Sequence, residues 1–269
     1  MGRNLPTALQ NSSLPVYAHI MATPDIIFYT AKASPYAERV DIAFQEAKAD
    51  VTRYSIDLAN KPEWYAPRVN PASKVPALVY GSPKSDPENP SPESAKIAES
   101  LIVLEFIADL YSDSGLLPKD PVERARVRFF IDAVSTKVSP LFFAFLVRSE
   151  SPDAFIAAVA EIQELLPPAA QFAVGDHFTI ADAAIAPFLG RWDVLFRNDI
   201  GRFAEGTGLR VHKEMFQTER FARLQKYYAN ISSRDSFKNS FDPVYLVEMA
   251  KKYVANSEGK VVAGRIHVF

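Results

Sequence analysis

The sequence predicts a mixed α/β unit followed by an all-helical unit. Up to residue 117, short strand-like runs alternate with amphipathic helical segments, and from Pro118 onward apolar residues recur at helical spacing over long stretches. The change falls within Gly115–Glu123, which contains two prolines. We therefore predict an N-terminal extension at residues 1–24, an α/β unit at 25–117, and an all-helical unit with a C-terminal extension at 118–269.

The first unit is predicted to have the element order β-α-β-(α)-β-β-α. The helix after the first strand has an apolar stripe between Val40 and Ala47. Pro76 stands inside the third β-prone run, which argues against a central strand unless its peptide bond is unusual. Four prolines between Pro83 and Pro92 indicate a stiff loop. The other predicted elements are strands at 25–30, 51–58, 74–81 and 96–100, a helical turn within 61–70, and a helix at 100–111.

The second unit is predicted to contain five long helical segments and no strand of comparable strength before a weak strand-like tail at 260–269. The spacing of Thr179 and Asp182 predicts a capping box at the start of the third helix. The helical segments are 121–149, 151–166, 179–196, 212–231 and 242–254.

Composition excludes several kinds of chemistry. The chain of 269 residues contains no cysteine, so it has no disulfide, thiolate metal site or cysteine nucleophile of its own. A net charge of −2 does not indicate a nucleic-acid partner. No apolar run reaches the roughly 18 residues of a membrane span, and residues 1–24 lack a signal-peptide layout. Since the four histidines are scattered, we expect no metal site. The lack of an apolar span and of a signal-peptide layout leads us to expect no membrane partner and a cytoplasmic location.

Three local motifs suggest a binding site in the first unit, and each also has a purely structural interpretation. Ser34 precedes a proline, so it is either a simple helix cap or a hydroxyl placed beside free N–H groups. Val75–Pro76 predicts either a cis bond that exposes the Val75 backbone to a peptide-like ligand, or a trans proline in an edge strand. Glu99 and Ser100 lie between a strand and a helix, where they could bind an ammonium and a carboxylate group or merely cap the helix.

The order and spacing of these motifs resemble the soluble glutathione transferases. The segments SPYAERV, LANKPEWYAPRVNPASKVPAL and AES look most like the omega class and its fungal relatives, and a further match is GDHFTIADAAIAPF at Gly175–Phe188. The resemblance is strongest in the first unit. It implies a thioredoxin-like N-terminal domain that binds glutathione, followed by an α-helical C-terminal domain.

The resemblance also implies roles for individual residues. Ser34 falls where the omega class carries its catalytic cysteine, so it would contact the sulfur of glutathione. Glu99 and Ser100 would hold the γ-glutamyl end, and Lys61 would meet the carboxylate at the glycine end. The cysteinyl backbone would pair with Val75. The other residues implied at the glutathione site are Tyr36, Leu58, Lys74 and Pro76.

The serine is a departure from the omega class. A serine cannot form a mixed disulfide with glutathione, so we expect no thioltransferase activity. We predict instead that Ser34 activates the thiolate of glutathione, the co-substrate, for attack on hydrophobic electrophiles or hydroperoxides. The resemblance to a serine-bearing fungal branch implies a role in detoxification of plant phenolics. Two alternatives stay open, namely a non-catalytic ligandin that binds aromatic or polyphenolic compounds and an interaction scaffold built on the same fold.

The sequence also leads to expectations about the acceptor site and the quaternary structure. Small aromatic or electrophilic substrates should bind between the two units, where two helical segments are rich in aromatic residues. The candidates to line this hydrophobic acceptor site are Phe142, Phe143, Phe145, Trp192 and Phe196. The alternative is core packing, which is the more common role of aromatic residues at helical spacing. The family resemblance implies a homodimer, and the apolar segment Ala125–Ile131 is the part of the sequence that supports it.

Overall fold

The computed structural model of the chain describes residues 25–82 and 84–256. The predicted extension at 1–24 and the strand-like tail at 260–269 lie outside these residues. The first unit contains a four-stranded mixed sheet with the order β2-β1-β3-β4, in which β1 and β2 are parallel and β3 is antiparallel to both of its neighbours. The strands are β1 (Asp25–Thr30), β2 (Thr52–Ser55), β3 (Ala77–Ser82) and β4 (Ala95–Ala98).

The two faces of the sheet are covered by different elements because side chains alternate along each strand. Ile26, Phe28 and Leu78 pack into the main core with helices α1 (Pro35–Glu46) and α3 (Ser100–Leu110). The opposite face carries Ile27, Tyr29 and Val79, which pack with the short helix α2 (Tyr65–Arg68). This arrangement is thioredoxin-like, as the resemblance implied.

The second unit is all-helical among the residues that the structure describes, and it begins after a 3₁₀ turn at Ser112–Ser114. The predicted helix at 121–149 is continuous but contains a π-helical turn at Val134–Val138, where Ser139 donates its N–H to the Val134 carbonyl. The wide turn accommodates Pro140, which has no N–H to donate. The helices are α4 (Pro121–Ala133), α5 (Ser139–Arg148), α6 (Asp153–Leu165), α7 (Ile180–Arg197), α8 (Thr207–Gln217), α9 (Ala222–Ser232), α10 (Asp235–Ser240) and α11 (Pro243–Asn256).

One predicted helix is wrong in its extent. The segment 212–231 is not one helix, because α8 ends at Gln217 and Thr218 adopts an extended conformation before a 3₁₀ turn and α9. Thr218 donates its hydroxyl to the Glu214 carbonyl at 2.7 Å, and its own carbonyl accepts from the Gln225 side chain at 2.8 Å. These bonds satisfy groups that a helix end leaves free.

Helix α7 is the central element of the second unit. It packs against α1, α3, α4, α8, α9 and α11, and most of its residues are buried. The predicted capping box is confirmed, because Asp182 accepts from the Thr179 N–H at 2.8 Å while the Thr179 hydroxyl caps the helix start. The Asp182 carboxylate also accepts from the Ala173 N–H and the Tyr227 phenol, both at 2.8 Å. This network anchors the start of the core helix.

A single helical stretch in the described part of the chain, Pro121–Arg148, is long and apolar enough by composition to cross a membrane. The stretch is not an uninterrupted apolar run, because charged residues such as Arg124, Asp132 and Lys137 occur along it. Its most apolar window is 56% buried within the fold. Packing in the core of the helical unit accounts for that apolar character.

Candidate functional site

The topology gathers the predicted glutathione residues at one edge of the sheet. The parallel strands β1 and β2 end there, with Thr30 beside Ser55. At the same edge β3 begins, since Ala77 pairs with Tyr29, and β4 ends, since Ala98 pairs with Ala77. The segments that adjoin these strand ends carry Ser34 after β1, Leu58 and Lys61 after β2, Lys74, Val75 and Pro76 before β3, and Glu99 and Ser100 after β4.

Ser34 is the N-cap of α1. Its hydroxyl oxygen accepts from the Ala37 N–H at 3.2 Å, and its own N–H donates to the Ala31 carbonyl at 2.9 Å. The side chain is only 7% exposed. A hydroxyl that accepts one bond still has its hydrogen to donate, and it lies beside the positive end of the helix dipole. Ser34 can therefore stabilise a negative charge placed at the start of α1.

Glu99 and Ser100 form the junction between β4 and α3. Glu99 is exposed and has a positive φ of 68°, a conformation that non-glycine residues seldom adopt. Ser100 is the first residue of α3 and is buried. Such strained positions are common at functional sites, and a helix start favours an anion. The geometry is compatible with a ligand that carries both an ammonium and a carboxylate group, which is the predicted γ-glutamyl end.

Arg39 connects this junction to the rest of the site, although no role was predicted for it. Its guanidinium is buried on α1 and donates to the Ser100 hydroxyl at 3.2 Å and to the Ala184 carbonyl of α7 at 2.7 Å. Burial lowers the pKa of Arg39 to about 10, and the neighbouring Tyr36 acts in the opposite direction. The SPYAER motif contains this arginine, so a sequence signal existed, but its partners lie too far along the chain to be inferred.

Tyr36 lies half-buried between the two units. Its ring contacts the edge of Phe188 on α7 with 5.8 Å between centroids, and the Arg39 guanidinium lies 5.3 Å from the Tyr36 ring. Burial raises the pKa of the Tyr36 phenol, Arg39 lowers it, and Glu99 raises it. The contact of Tyr36 with glutathione stays a prediction.

The segment before β3 is held by several side chains. The Val75–Pro76 peptide bond is cis, as one of the two interpretations predicts, and the pairing of Val75 with a ligand stays a prediction. The Lys74 carbonyl accepts from the Tyr65 phenol at 2.7 Å and from the Asn70 amide at 2.9 Å. Val75 is half-buried and precedes the first paired residue of β3.

The two predicted lysines of the site differ in their surroundings. Lys61 is half-buried and donates its ammonium to the Ser73 carbonyl at 2.6 Å. Lys74 has an exposed side chain. Leu58 is half-buried in the connection that follows β2. All three lie in segments that reach the same edge of the sheet, and their contacts with glutathione stay a prediction.

A buried ion pair joins the turn that carries Ser34 to the helical unit. Arg191 on α7 donates to the Glu38 carboxylate at 2.5 Å, to the Pro187 carbonyl at 2.9 Å and to the Ala33 carbonyl at 3.3 Å. Burial raises the pKa of Glu38, and the charge of Arg191 counteracts that effect. The pair fixes the start of α1 against α7, although sequence reasoning assigned no role to either residue.

The predicted acceptor residues require a correction. The side chains of Phe142, Phe145, Trp192 and Phe196 are at most 1% exposed. They pack in an aromatic core with Phe155, which lies 5.2 Å from Trp192 between ring centroids. In this structure these four residues therefore have no surface to offer an acceptor. Phe143 is half-buried and contacts Phe188 at 6.4 Å, so its role stays a prediction.

A cavity of about 480 Å³ lies beside the turn that carries Ser34, at the same edge of the sheet. Its walls come from the ends of β1 and β2, one face of α1, and the junction of α10 and α11. The Lys32 ammonium in its wall forms an ion pair with Asp242 at 2.8 Å and lies 4.7 Å from the centroid of the Tyr245 ring. Other lining residues include Ala31, Glu38, Ser55 and Phe241. The described residues contain no group of three or more His, Cys, Asp or Glu able to hold a metal ion.

The fold defines a class of protein in which a thioredoxin-like domain is followed by a helical domain. The chain matches the family model for the glutathione S-transferase N-terminal domain over residues 28–115 and the one for the C-terminal domain over residues 147–230. It is 30% identical over 205 residues to a probable glutathione S-transferase of Nicotiana tabacum, covering 74% of this chain and 81% of the relative. The chain belongs to the glutathione S-transferase family.

Several solved structures that are similar to this chain belong to the omega class. Glutathione transferase Omega 2C from Trametes versicolor is 51% identical with a TM-score of 0.82, covering 86% of this chain and 99% of that one. Omega 1C from the same organism is 49% identical with a TM-score of 0.83, covering 86% and 97%. Omega 2S from that organism, in complex with 2,4-dihydroxybenzophenone, is 41% identical with a TM-score of 0.81, covering 86% and 100%.

Proposed function

We propose that the chain is a glutathione transferase in which the Ser34 hydroxyl donates a hydrogen bond to the thiolate of glutathione. The thiolate then attacks a hydrophobic electrophile, or it attacks a hydroperoxide and releases the alcohol, after which a second glutathione forms the disulfide and water. The observation that supports this most strongly is the position of Ser34, which caps α1 at the edge of the sheet that the segments with the other predicted residues adjoin. A role in detoxification and a cytoplasmic location are part of the same proposal.

The energetics of thiolate stabilisation are sufficient. A thiol with a pKa near ~8.5 is only a few per cent ionised at neutral pH, and lowering that pKa to about 7 requires about 2 kcal/mol. A helix N-terminus contributes ~0.3–1 kcal/mol, and up to ~2 kcal/mol where it is partly buried. A hydrogen bond to a charged group contributes ~1.5–3 kcal/mol. Because Ser34 caps α1 and is buried, the helix N-terminus and the hydroxyl would both act on the sulfur of glutathione.

The two ends of glutathione would be held at opposite sides of Ser34. The γ-glutamyl ammonium would meet the exposed Glu99 carboxylate, and the γ-glutamyl carboxylate would bind at the start of α3, beside the Ser100 hydroxyl and the Arg39 guanidinium. The glycine end would lie towards Lys61 in the connection after β2. The Val75 backbone would pair with the cysteinyl residue, because Val75 precedes β3, and β3 lies between the strands that lead to Lys61 and to Glu99.

The acceptor would bind in the 480 Å³ cavity beside Lys32 rather than among the buried aromatic side chains. This cavity adjoins the turn between β1 and Ser34, and its volume lies within the range of small-molecule sites. Ala31, Phe241 and Pro243 supply apolar surface, whereas Lys32, Asp41 and Asp242 add charged groups to the wall. An acceptor that combines a ring with polar substituents fits this lining better than a purely hydrocarbon one.

We also propose that two copies of the chain form a dimer through α4. A groove of about 800 Å³ runs between α4 and the end of α6, and it is bordered by unusually exposed apolar side chains. Phe129 is 62% exposed, Val122 is 59% exposed and Leu165 is 37% exposed. Apolar residues grouped in this way indicate an interaction site, and a second copy is the partner that the family resemblance implies.

The experiment that tests the proposed function is an activity measurement on the purified chain. Glutathione would be supplied with a nitro-aromatic halide in one assay and with an organic hydroperoxide in the other. Saturable turnover in either assay that falls about tenfold or more at pH 7 in Ser34→Ala supports the proposal. Absence of turnover, together with absence of glutathione binding by calorimetry, would overturn it.

The ligand-binding alternative is motivated by a relative, since the similar Omega 2S protein was solved in complex with 2,4-dihydroxybenzophenone. The same measurements distinguish it from catalysis. A ligandin would bind hydroxylated two-ring compounds at micromolar concentrations while giving no turnover with any electrophile or hydroperoxide. An enzyme would bind such compounds in competition with its acceptor substrate.

A further inference from the structure

Residues 84–94, between β3 and β4, are hydrogen-bonded to the sheet although many of their side chains are exposed. We call residues 84–94 the hairpin loop. The buried Tyr29 of β1 donates its phenol to the Pro87 carbonyl at 2.7 Å, and Tyr54 of β2 donates its phenol to the Glu88 carboxylate at 2.6 Å. The hairpin loop therefore folds back over the face of the sheet that α2 covers, because Tyr29 and Tyr54 belong to the cluster on that face.

The hairpin loop is also bonded directly to α2. Arg68, the last residue of α2, donates from one guanidinium nitrogen to the Glu88 carbonyl at 2.9 Å and to the Asn89 side-chain oxygen at 3.2 Å. Glu88 thus bonds to a strand through its side chain and to α2 through its backbone. An isolated helix of four residues is not stable in water, so α2 depends on such contacts to keep its position.

The other end of α2 reaches the segment before β3. Tyr65, the first residue of α2, donates its phenol to the Lys74 carbonyl at 2.7 Å. Its ring packs against Tyr29 with 5.6 Å between centroids and against Trp64 with 6.0 Å. Because Lys74 directly precedes Val75 in the sequence, Tyr65 fixes the backbone next to the position proposed to pair with the cysteinyl part of glutathione.

We propose that the hairpin loop is a positioning element for the glutathione site. Glu88 holds α2 on the sheet through Tyr54 and Arg68, and α2 in turn holds the Lys74 carbonyl and the adjoining Val75 backbone through Tyr65. The inference rests on the proposed function for the identity of the ligand. None of the loop residues is proposed to touch glutathione, so their effect acts through the geometry of α2 and the segment before β3.

The first test is Glu88→Ala in the full chain. Loss of the Tyr54 bond should loosen α2 and weaken glutathione binding about threefold to tenfold, the scale expected for one ordinary hydrogen bond. The KM for glutathione should rise by the same factor, whereas kcat at saturating glutathione should stay unchanged because Ser34 is not displaced. Deuterium exchange of the amides of α2 should become faster in the absence of ligand.

Two control variants separate geometry from charge. Glu93→Ala removes the same charge from the same loop, at an exposed carboxylate, and should leave glutathione affinity unchanged. Glu88→Gln keeps an oxygen that accepts from Tyr54, so it should retain most of the affinity. Electrostatics alone predicts the opposite sign for Glu88→Ala, since removing a negative charge should favour binding of the anionic glutathione.

A second variant tests the same contact from the other side. Tyr54→Phe removes the donor and should reproduce the effect of Glu88→Ala, and the double variant should be no worse than either single one. If both variants bind glutathione as the wild type does and exchange at α2 is unchanged, the positioning role of the hairpin loop is refuted. If the wild type itself fails to bind glutathione, the proposed function fails first and the positioning role is lost with it.

Discussion

Ser34→Ala is the substitution that separates the proposed chemistry from the structural role of the same residue. The variant removes the hydroxyl that would donate to the thiolate, and it also removes the oxygen that accepts from the Ala37 N–H at 3.2 Å. The helix dipole and the free N–H groups at the start of α1 remain. The variant should therefore lose part of the thiolate stabilisation and part of the helix stability.

The loss of thiolate stabilisation and the loss of folding stability can be estimated separately. Removing a hydrogen bond to a charged group costs ~1.5–3 kcal/mol, which corresponds to a rise of roughly 1–2 units in the pKa of the bound thiol. Removing an N-cap serine costs about 0.5–2 kcal/mol of folding stability. At pH 7 the ionised fraction of bound glutathione should fall from roughly half to a few per cent. Turnover at pH 7 should fall about tenfold or more, while turnover at alkaline pH should recover.

The assay follows the ultraviolet absorbance of the thiolate in the glutathione complex as pH is raised, for the wild type and for Ser34→Ala. Ser34→Thr serves as a control, because a threonine hydroxyl can both cap the helix and donate. A melting curve of each variant measures the loss of the cap separately. If the pKa of bound glutathione is the same in the wild type and in Ser34→Ala, the assigned role of Ser34 is wrong.

Four other changes test separate parts of the structure. The wild type should show no thioltransferase activity on a glutathionylated peptide, and Ser34→Cys should create it; robust wild-type activity would contradict the assignment. Glu99→Ala should weaken glutathione binding by about 1.5–3 kcal/mol in calorimetry, and unchanged affinity would remove Glu99 from the site. Asp182→Ala should lower the free energy of unfolding by about 2–4 kcal/mol, since buried donors lose their acceptor; a smaller loss in denaturant unfolding would show that the network is dispensable. Phe129→Glu should convert a dimer into a monomer in light scattering at micromolar concentration, and a monomeric wild type would contradict the dimer.

The parts of the fold that depend on neighbouring residues could be predicted from the sequence. The Ser34 cap, the cis bond before Pro76 and the capping box at Thr179 each depend on residues close together in the chain, and the structure contains all three. The π-helical turn before Pro140 and the break at Thr218 were not predicted. Both interrupt segments whose apolar spacing stays helical, because periodicity reports which face is buried and not where a hydrogen bond is lost.

Contacts between distant residues account for what sequence reasoning missed at the site. Arg39 meets the Ala184 carbonyl and Arg191 meets Glu38 across more than a hundred residues, so no local pattern indicates either pair. The aromatic prediction was wrong for Trp192 and its neighbours for a related reason. Helical spacing shows that aromatic residues share one face, and that face packs against other helices instead of facing a cleft. The division of the chain at residues 24 and 117 and the ligand contacts of the site residues stay predictions.

The most direct test of the central claim is a crystal structure of the chain with glutathione bound. We predict that the sulfur lies within hydrogen-bond distance of the Ser34 hydroxyl without a covalent bond, with the γ-glutamyl end at Glu99 and Ser100. A glutathione molecule bound elsewhere, or one whose sulfur points away from the start of α1, would contradict it.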